Sequence, residues 1–362
     1  MKIGILTFHR AINYGAVLQC YALYDTLRCR GHNVEVIDFR PPYIEKYREV
    51  FNLNSSRSII GKTRNIVKGF ILGSKKREAI RNFDDFLSLL KFSTVVKTAH
   101  DISVLNYDII VSGSDQVFNK RITGGKFEDL YWGHFEHPNS KFISYAASYG
   151  ELVSFPQMDD VLKEMFSKMD AVSVREQKFA SYLCGIGINA HVCVDPTILA
   201  KRQLFVELAE TPPIDEPYIL VYALKDREKV ISWSRKIQDK TNLKIVVLGG
   251  NVSIKTRYNG NVFLVQGVSP KVFLGYFKNA TYIVNASFHG TVFSTLFHKN
   301  FYSLSVGNSG RYRQYLEAVG LPERFLSFED DPFWEPLDYS LFEIKKAQLI
   351  KNSEDYLLNV GI

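Results

Sequence analysis

Four cysteines in 362 residues are too few and too scattered for a disulfide scaffold. Cys20, Cys29, Cys184 and Cys193 form two separate pairs, each with eight intervening residues, a spacing that matches no zinc motif. Cys20 and Cys29 share one predicted helix nine residues apart, too far along the axis to bridge. Reduced thiols are therefore expected. Histidine supplies no metal set either: His134 and His137 are three apart but lack a third partner, so no metal is expected. No apolar stretch reaches the roughly 20 residues that span a bilayer. The opening run Met1 to Phe8 breaks at His9 with no cleavage pattern behind it, which reads as a first strand and a cytoplasmic protein rather than a leader. Low-complexity tracts are absent, and no period of roughly 20 to 50 residues repeats, which excludes solenoids.

What remains is an ordinary folded chain, with 46% hydrophobic and 23% charged residues. Its length exceeds what one core usually serves, so two domains are expected. The net charge of +7 is unevenly placed. Arg57, Lys62, Arg64, Lys68, Lys75, Lys76, Arg77 and Arg81 face only Glu78, so this one segment carries as much net charge as the whole chain. Aliphatic residues between them make it a candidate for peripheral contact with anionic lipid, against the plainer reading of a solvated helical face. No nucleic-acid module accompanies the charge, so no nucleic-acid partner is expected.

Apolar periodicity alternates strand with helix. Lys2 to Phe8, Asn33 to Phe39, Tyr107 to Val111, Lys141 to Ala147, Ala171 to Arg175 and His191 to Val194 read as strands, with helices over 15–30 and 177–184 and a helical basic insertion over about 44–90. Clustered prolines between Thr211 and Pro217 mark a passage near 200–217. Beyond it the alternation restarts, with strands at Tyr218, Lys244, Val262 and Tyr282 and helices from Asp226, Pro270 and Ser287. The expected architecture is α/β, with two Rossmann-like domains facing a cleft: residues 1–205 on the acceptor side, 206–330 on the donor side, and a helical segment over 331–362.

Three loops just past predicted strand ends concentrate polar and glycine residues. The first runs from His9 to Gln19, where Gly15 permits close backbone approach at a helix N-terminus; a simple turn is the competing reading. In the second, Ser112 to Asn119, Asp115 and Gln116 can bond sugar hydroxyls, or form a purely structural Asx turn. The third is Ser287-Phe288-His289-Gly290, a serine-capped first turn whose free N–H groups suit an anion. A lone histidine is more often structural than catalytic, and the position of His289 at a strand-to-helix loop of the second domain brings the two readings level. Arg175, ending a strand, can take a carboxylate or phosphate bidentately, or simply pair with a surface acid. Arg311 and Arg313, on a glycine-bearing loop, are further anion candidates.

Taken together, Asn13 to Gln19, Gly113 to Asn119, Tyr145-Ala146-Ala147-Ser148, Ser173-Val174-Arg175-Glu176, Asp195-Pro196-Thr197 and Ser287-Phe288-His289-Gly290 resemble the polysaccharide pyruvyl transferase family over about residues 3 to 325. The resemblance implies a GT-B-like fold and transfer of the carboxyethylidene group of phosphoenolpyruvate onto two hydroxyls of a sugar, itself lipid-linked or nucleotide-activated. Phosphoenolpyruvate is then a co-substrate and no other cofactor is expected. On this resemblance Arg175, Ser287, His289, Gly290, Arg311 and Arg313 bind the donor. Asn13, Tyr14, Gly15, Gln19, Asp115 and Gln116 serve the acceptor. His289 is the general acid, Arg175 the donor-binding arginine, and Asp115 an acceptor-side base or orienting group. The family motif reads Arg-Leu-His-Gly, and Ser287 and Phe288 stand at its first two positions, leaving Arg311 or Arg313 to replace the arginine. Two rivals stay open: a GT-B-like glycosyltransferase using a nucleotide sugar, and a non-catalytic sugar- or anion-binding protein.

Overall fold

Seven strands build the first half: β1 (Lys2–Leu6), β2 (Asn33–Phe39), β3 (Phe92–Val96), β4 (Ile109–Ser112), β5 (Lys141–Ser144), β6 (Val172–Val174) and β7 (Ala190–Val192). The first five form a parallel sheet in the order β3-β2-β1-β4-β5. The parallel pair β6-β7 continues it through the bridges Ile143 to Ala171 and Ala147 to Val174. The computed structural model describes residues 1–50, 59–150, 158–249, 257–258, 261–307 and 309–362, without the side chains of 59–71 and 257–258.

The second half carries β8 (Tyr218–Ala223), β9 (Lys244–Gly249), β10 (Arg257–Tyr258), β11 (Val262–Gln266), β12 (Tyr282–Ala286), β13 (Asn300–Leu304) and β14 (Phe325–Leu326). They pair in the order β10-β11-β9-β8-β12-β13-β14, parallel except for β10 on β11. Every residue of the central β8 is buried, as expected of a parallel strand covered by helices on both faces. In each sheet the strand order reverses once, between β1 and β4 and between β8 and β12. Ligands of open α/β sheets bind outside the carboxyl ends of the strands at such reversals.

The two halves are held against each other by an apolar cluster running from Ile3, Val17 and Leu18 through Tyr14, Phe273 and Phe293 to Tyr356 and Leu357. Tyr14 stacks on Phe273 at 4.2 Å, its hydroxyl donates to Val268 O at 3.1 Å, and Asn82 Nδ2 donates to Gly267 O at 2.7 Å. The C-terminal helix Ser340–Val360 spans both halves, and in the second His298 pairs with its Glu343 at 2.7 Å. Tyr356 donates to Ser144 O at 2.8 Å, and Ser353 Oγ accepts from Val194 N at 2.9 Å, which binds the helix to the first sheet.

Four strands have no counterpart in the sequence pattern: β3, β13 and the two-residue β10 and β14. In β3 only Val96 is buried, so this edge strand lacks the apolar run that marks the others, and β13 follows the preceding helix too closely to separate from it. The segment holding Arg311 and Arg313 is the helix Gly310–Ala318 rather than a loop. Of the basic segment, Arg57 lies outside the described residues, as do the side chains of Lys62, Arg64 and Lys68. The rest belongs to the helix Ile59–Leu87, where Lys75, Arg77 and Arg81 are exposed while Ala79, Phe83 and Phe86 are buried.

Candidate active site

Asp195 organises the cleft. It follows β7 and caps the short helix Pro196–Leu199, with proline at the first helical position. Its Oδ1 accepts from Thr197 N at 2.9 Å and Thr197 Oγ1 at 2.6 Å. Oδ2 is left to face Arg175 Nη2 at 2.9 Å and His289 Nε2 at 3.4 Å, and the carboxylate is fully buried. Burial alone would raise its pKa; Arg175, His289 and the Thr197 bond outweigh that and hold it well below the usual carboxylate range.

Arg175 reaches this position because β6 ends at Val174, and Arg175 N bonds Ala147 O at 3.1 Å. Nη2 also donates to Ser114 Oγ at 2.7 Å, and the guanidinium lies 4.9 Å from the centre of the Phe288 ring. Nε and Nη1 are buried with no hydrogen-bond partner among the described residues. A buried guanidinium with two vacant donors is costly unless a ligand completes it, and a carboxylate or phosphate is the anion whose geometry fits that fork.

His289 sits in the first turn of the helix Phe288–Leu296, where Ser287 Oγ accepts from Gly290 N at 3.4 Å. Its ring fills the space that a side chain at position 15 would need: a Cβ on Gly15 would come within 2.1 Å of His289 Nδ1. The close approach that Gly15 permits is therefore to the histidine of the other half.

The remaining sequence-predicted residues divide. Asn13 is exposed and caps its helix through Ala16 N at 3.3 Å. Tyr14 is buried in the contact between halves, and Gln19 is buried against Thr7 Oγ1 at 3.1 Å and Ala16 O at 2.9 Å. Asp115 adjoins Ser114, the partner of Arg175, and its Oδ1 accepts from Gln116 N at 2.8 Å. Gln116 Oε1 accepts from Asn119 Nδ2 at 2.8 Å. Gly290 is packed against Tyr222 and Asn285. The two arginines of the Gly310–Ala318 helix part company. Arg311 is half-buried and lowers the pKa of Glu176 across the cleft, whereas Arg313 is exposed and bonds Glu317 at 3.0 Å, away from the cluster.

Sequence reasoning gave no role to Asp195, Ser114, Glu176 or Phe288. For Asp195 a signal existed: Asp-Pro-Thr after a short strand is a helix N-cap signature. The other three become functional candidates only through contacts made between distant segments.

The sequence matches the family model described as Polysaccharide pyruvyl transferase over residues 13–308. No curated protein matches it in sequence. Among solved structures it is similar to a Staphylococcus aureus MnaA–UDP co-structure, at 14% identity and a TM-score of 0.52 over 97% of this chain and 90% of that one. It is also similar to a UDP-GlcNAc 2-epimerase from Neisseria meningitidis bound to UDP-GlcNAc, at 12% identity and 0.50 over 100% and 94%. The glycosyltransferase SnogD from Streptomyces nogalater aligns at 12% identity and 0.43 over 98% and 95%. At such identities the likeness concerns the fold, which is of the GT-B kind.

Proposed function

From the premise that the chain belongs to the polysaccharide pyruvyl transferase family, we propose that it moves the carboxyethylidene group of phosphoenolpyruvate onto two hydroxyls of a sugar. The observation that carries this reading is Arg175, two of whose buried donors have no partner among the described residues, and which meets His289 at the Asp195 carboxylate. Phosphoenolpyruvate carries both a carboxylate and a phosphate, either of which completes the fork.

In this mechanism His289 gives a proton to the methylene carbon of the donor, and a sugar hydroxyl captures the resulting cation. Asp195 does not meet the substrate. It orients the imidazole and balances its charge, while Asp195 itself is anchored by Thr197 and Arg175. Arg175 holds the donor anion, and Arg311 supplies the positive charge that the family motif places where Ser287 stands. Asp115 and Gln116 belong to the acceptor side.

The test is phosphate release from phosphoenolpyruvate, screened across free, nucleotide-linked and lipid-linked sugars, with the ketal identified by mass. Release of nucleoside diphosphate from a nucleotide sugar, with none of phosphate, would replace this reading with glycosyl transfer. The exposed Lys75, Arg77 and Arg81 further suggest peripheral contact with anionic membrane. Flotation with anionic but not neutral vesicles, weakened by salt, would support that contact; equal binding to both, or to neither, would end it.

A further inference from the structure

Next to Arg175 stands a second ionisable side chain that the mechanism above leaves idle. Glu176 is only 7% exposed. Its Oε1 accepts from Ser148 Oγ, which in turn accepts from Gly150 N at 3.0 Å. Its Oε2 is buried and has no partner among the described residues, the same condition as the two free nitrogens of Arg175 one residue before it. A structural carboxylate buried this deeply normally has both oxygens satisfied. One satisfied oxygen and one vacant one, beside a vacant cationic fork, is the arrangement expected where a ligand closes the set.

We propose that Glu176 is a second acid–base residue of the reaction, holding a proton toward the phosphate of the donor. The proposal rests on the phosphoenolpyruvate reading above. The groups facing Glu176 are Arg175 on its own segment, Ser148 from the turn after β5 and Arg311 from the helix of the other half, with Asp195 and His289 behind Arg175. Burial raises the Glu176 pKa, and Arg175, Ser148 and Arg311 pull it back only in part. A carboxylate at this place would repel a bound phosphate. A carboxylic acid donates to it.

The reaction needs two proton deliveries, and two groups divide them. His289 protonates the methylene carbon as the C=C pair forms the new C–H bond. The first hydroxyl bonds the central carbon and returns its proton to the imidazole. The C–O bond to phosphate then breaks with its electron pair on the bridging oxygen, which takes the Glu176 proton. The second hydroxyl closes the ketal and reprotonates Glu176. The two hydroxyl protons thus end on the methyl group and on phosphate, and both residues finish as they began.

Glu176→Gln keeps an acceptor for Ser148 but cannot release a proton. It is expected to lower kcat for phosphate release by about 100-fold, the lower range of general acid catalysis, with the KM for phosphoenolpyruvate little changed. A second arm needs no turnover. Inorganic sulfate does not titrate near neutrality, so the pH dependence of its binding, measured by calorimetry, reports the protein. Wild-type affinity should fall about tenfold as rising pH ionises Glu176, and Glu176→Gln should lack that part of the dependence. At the alkaline end of that profile, titration of wild type in two buffers of different ionisation enthalpy should show proton uptake with sulfate binding, a readout independent of whether the variant folds. Near-normal kcat in Glu176→Gln, an unchanged sulfate profile, or no proton uptake in wild type would each overturn the proposal. If no acceptor elicits phosphate release from wild type while the sulfate arm behaves as expected, the donor reading fails and the proton-holding anion site stands.

Discussion

At the head of the helix Tyr14–Cys29, Asn13 accepts Ala16 N at 3.3 Å; at the head of Phe288–Leu296, Ser287 accepts Gly290 N at 3.4 Å. Both turns follow a strand that borders its sheet's reversal point, and both satisfy an orphan N–H with a side-chain cap. They differ one or two residues later. The first places Gly15 at the contact and offers a gap; the second places His289 there and fills it. The halves of the protein are thus fitted to each other at the point where chemistry is expected, so the histidine is positioned by the absence of a side chain opposite it. Function and domain packing share the same atoms, and substitutions on the two sides should separate them.

The largest effect is expected from Gly15→Ala. A Cβ 2.1 Å from His289 Nδ1 cannot be accommodated in place, so the imidazole or the whole turn must move. Overpacking of this kind costs about 1 to 3 kcal/mol, and activity should fall below detection. Thermal unfolding of the double variant Gly15→Ala with His289→Ala checks the cause: removing the ring should restore most of the lost stability without restoring activity. Additive losses would show that the clash lies elsewhere.

Next comes the contrast between His289→Ala and Arg175→Ala. The first should abolish phosphate release while leaving phosphoenolpyruvate binding largely intact, since a general acid acts on the transition state more than on the bound donor. The second should weaken donor binding about ten- to a hundred-fold, from a charge-assisted contact of roughly 1.5 to 3 kcal/mol. It should also lower stability, because Asp195 would lose its closest cation. Calorimetry with phosphoenolpyruvate distinguishes the two, and a near-normal rate in His289→Ala would remove it as the acid.

A smaller effect concerns acid stability. The folded-state pKa of Asp195 is depressed below its unfolded value of about 3.9, so its contribution is fully present above that value and is lost as pH falls toward the folded one. Urea unfolding should therefore show wild type losing its advantage over Asp195→Asn below about pH 4 and keeping it at neutral pH. An advantage that does not change with pH would mean that the contribution is steric. The smallest effect is expected at Arg313, whose exposed pair with Glu317 is worth about 0.3 to 0.5 kcal/mol. Arg313→Ala should leave donor affinity unchanged, whereas Arg311→Ala should reduce it; equal losses would place both arginines on the donor.

Much of the fold is legible in the chain. A parallel strand buried on both faces reads as an unbroken apolar run, as in Tyr218 to Ala223, and serine or asparagine caps mark where Phe288–Leu296 and Tyr14–Cys29 begin. Edge strand β3 escaped because an edge needs little apolar surface, and Arg313 was grouped with Arg311 because helical phase, invisible in a glycine-bearing stretch, sends residues two apart to different sides.

Local pattern also brought out Arg175 and His289, since strand ends and first helical turns are defined by residues nearby in sequence. What the sequence by itself determined is this local grammar of strands, caps and turns, together with the family. The tertiary structure alone decided that Asp195 lies between Arg175 and His289, that Gly15 receives the imidazole, and that Glu176 Oε2 has no partner among the described residues. The reason is physical: a buried charge is defined by what surrounds it in space, and its neighbours here come from segments up to 274 residues apart, from Gly15 to His289.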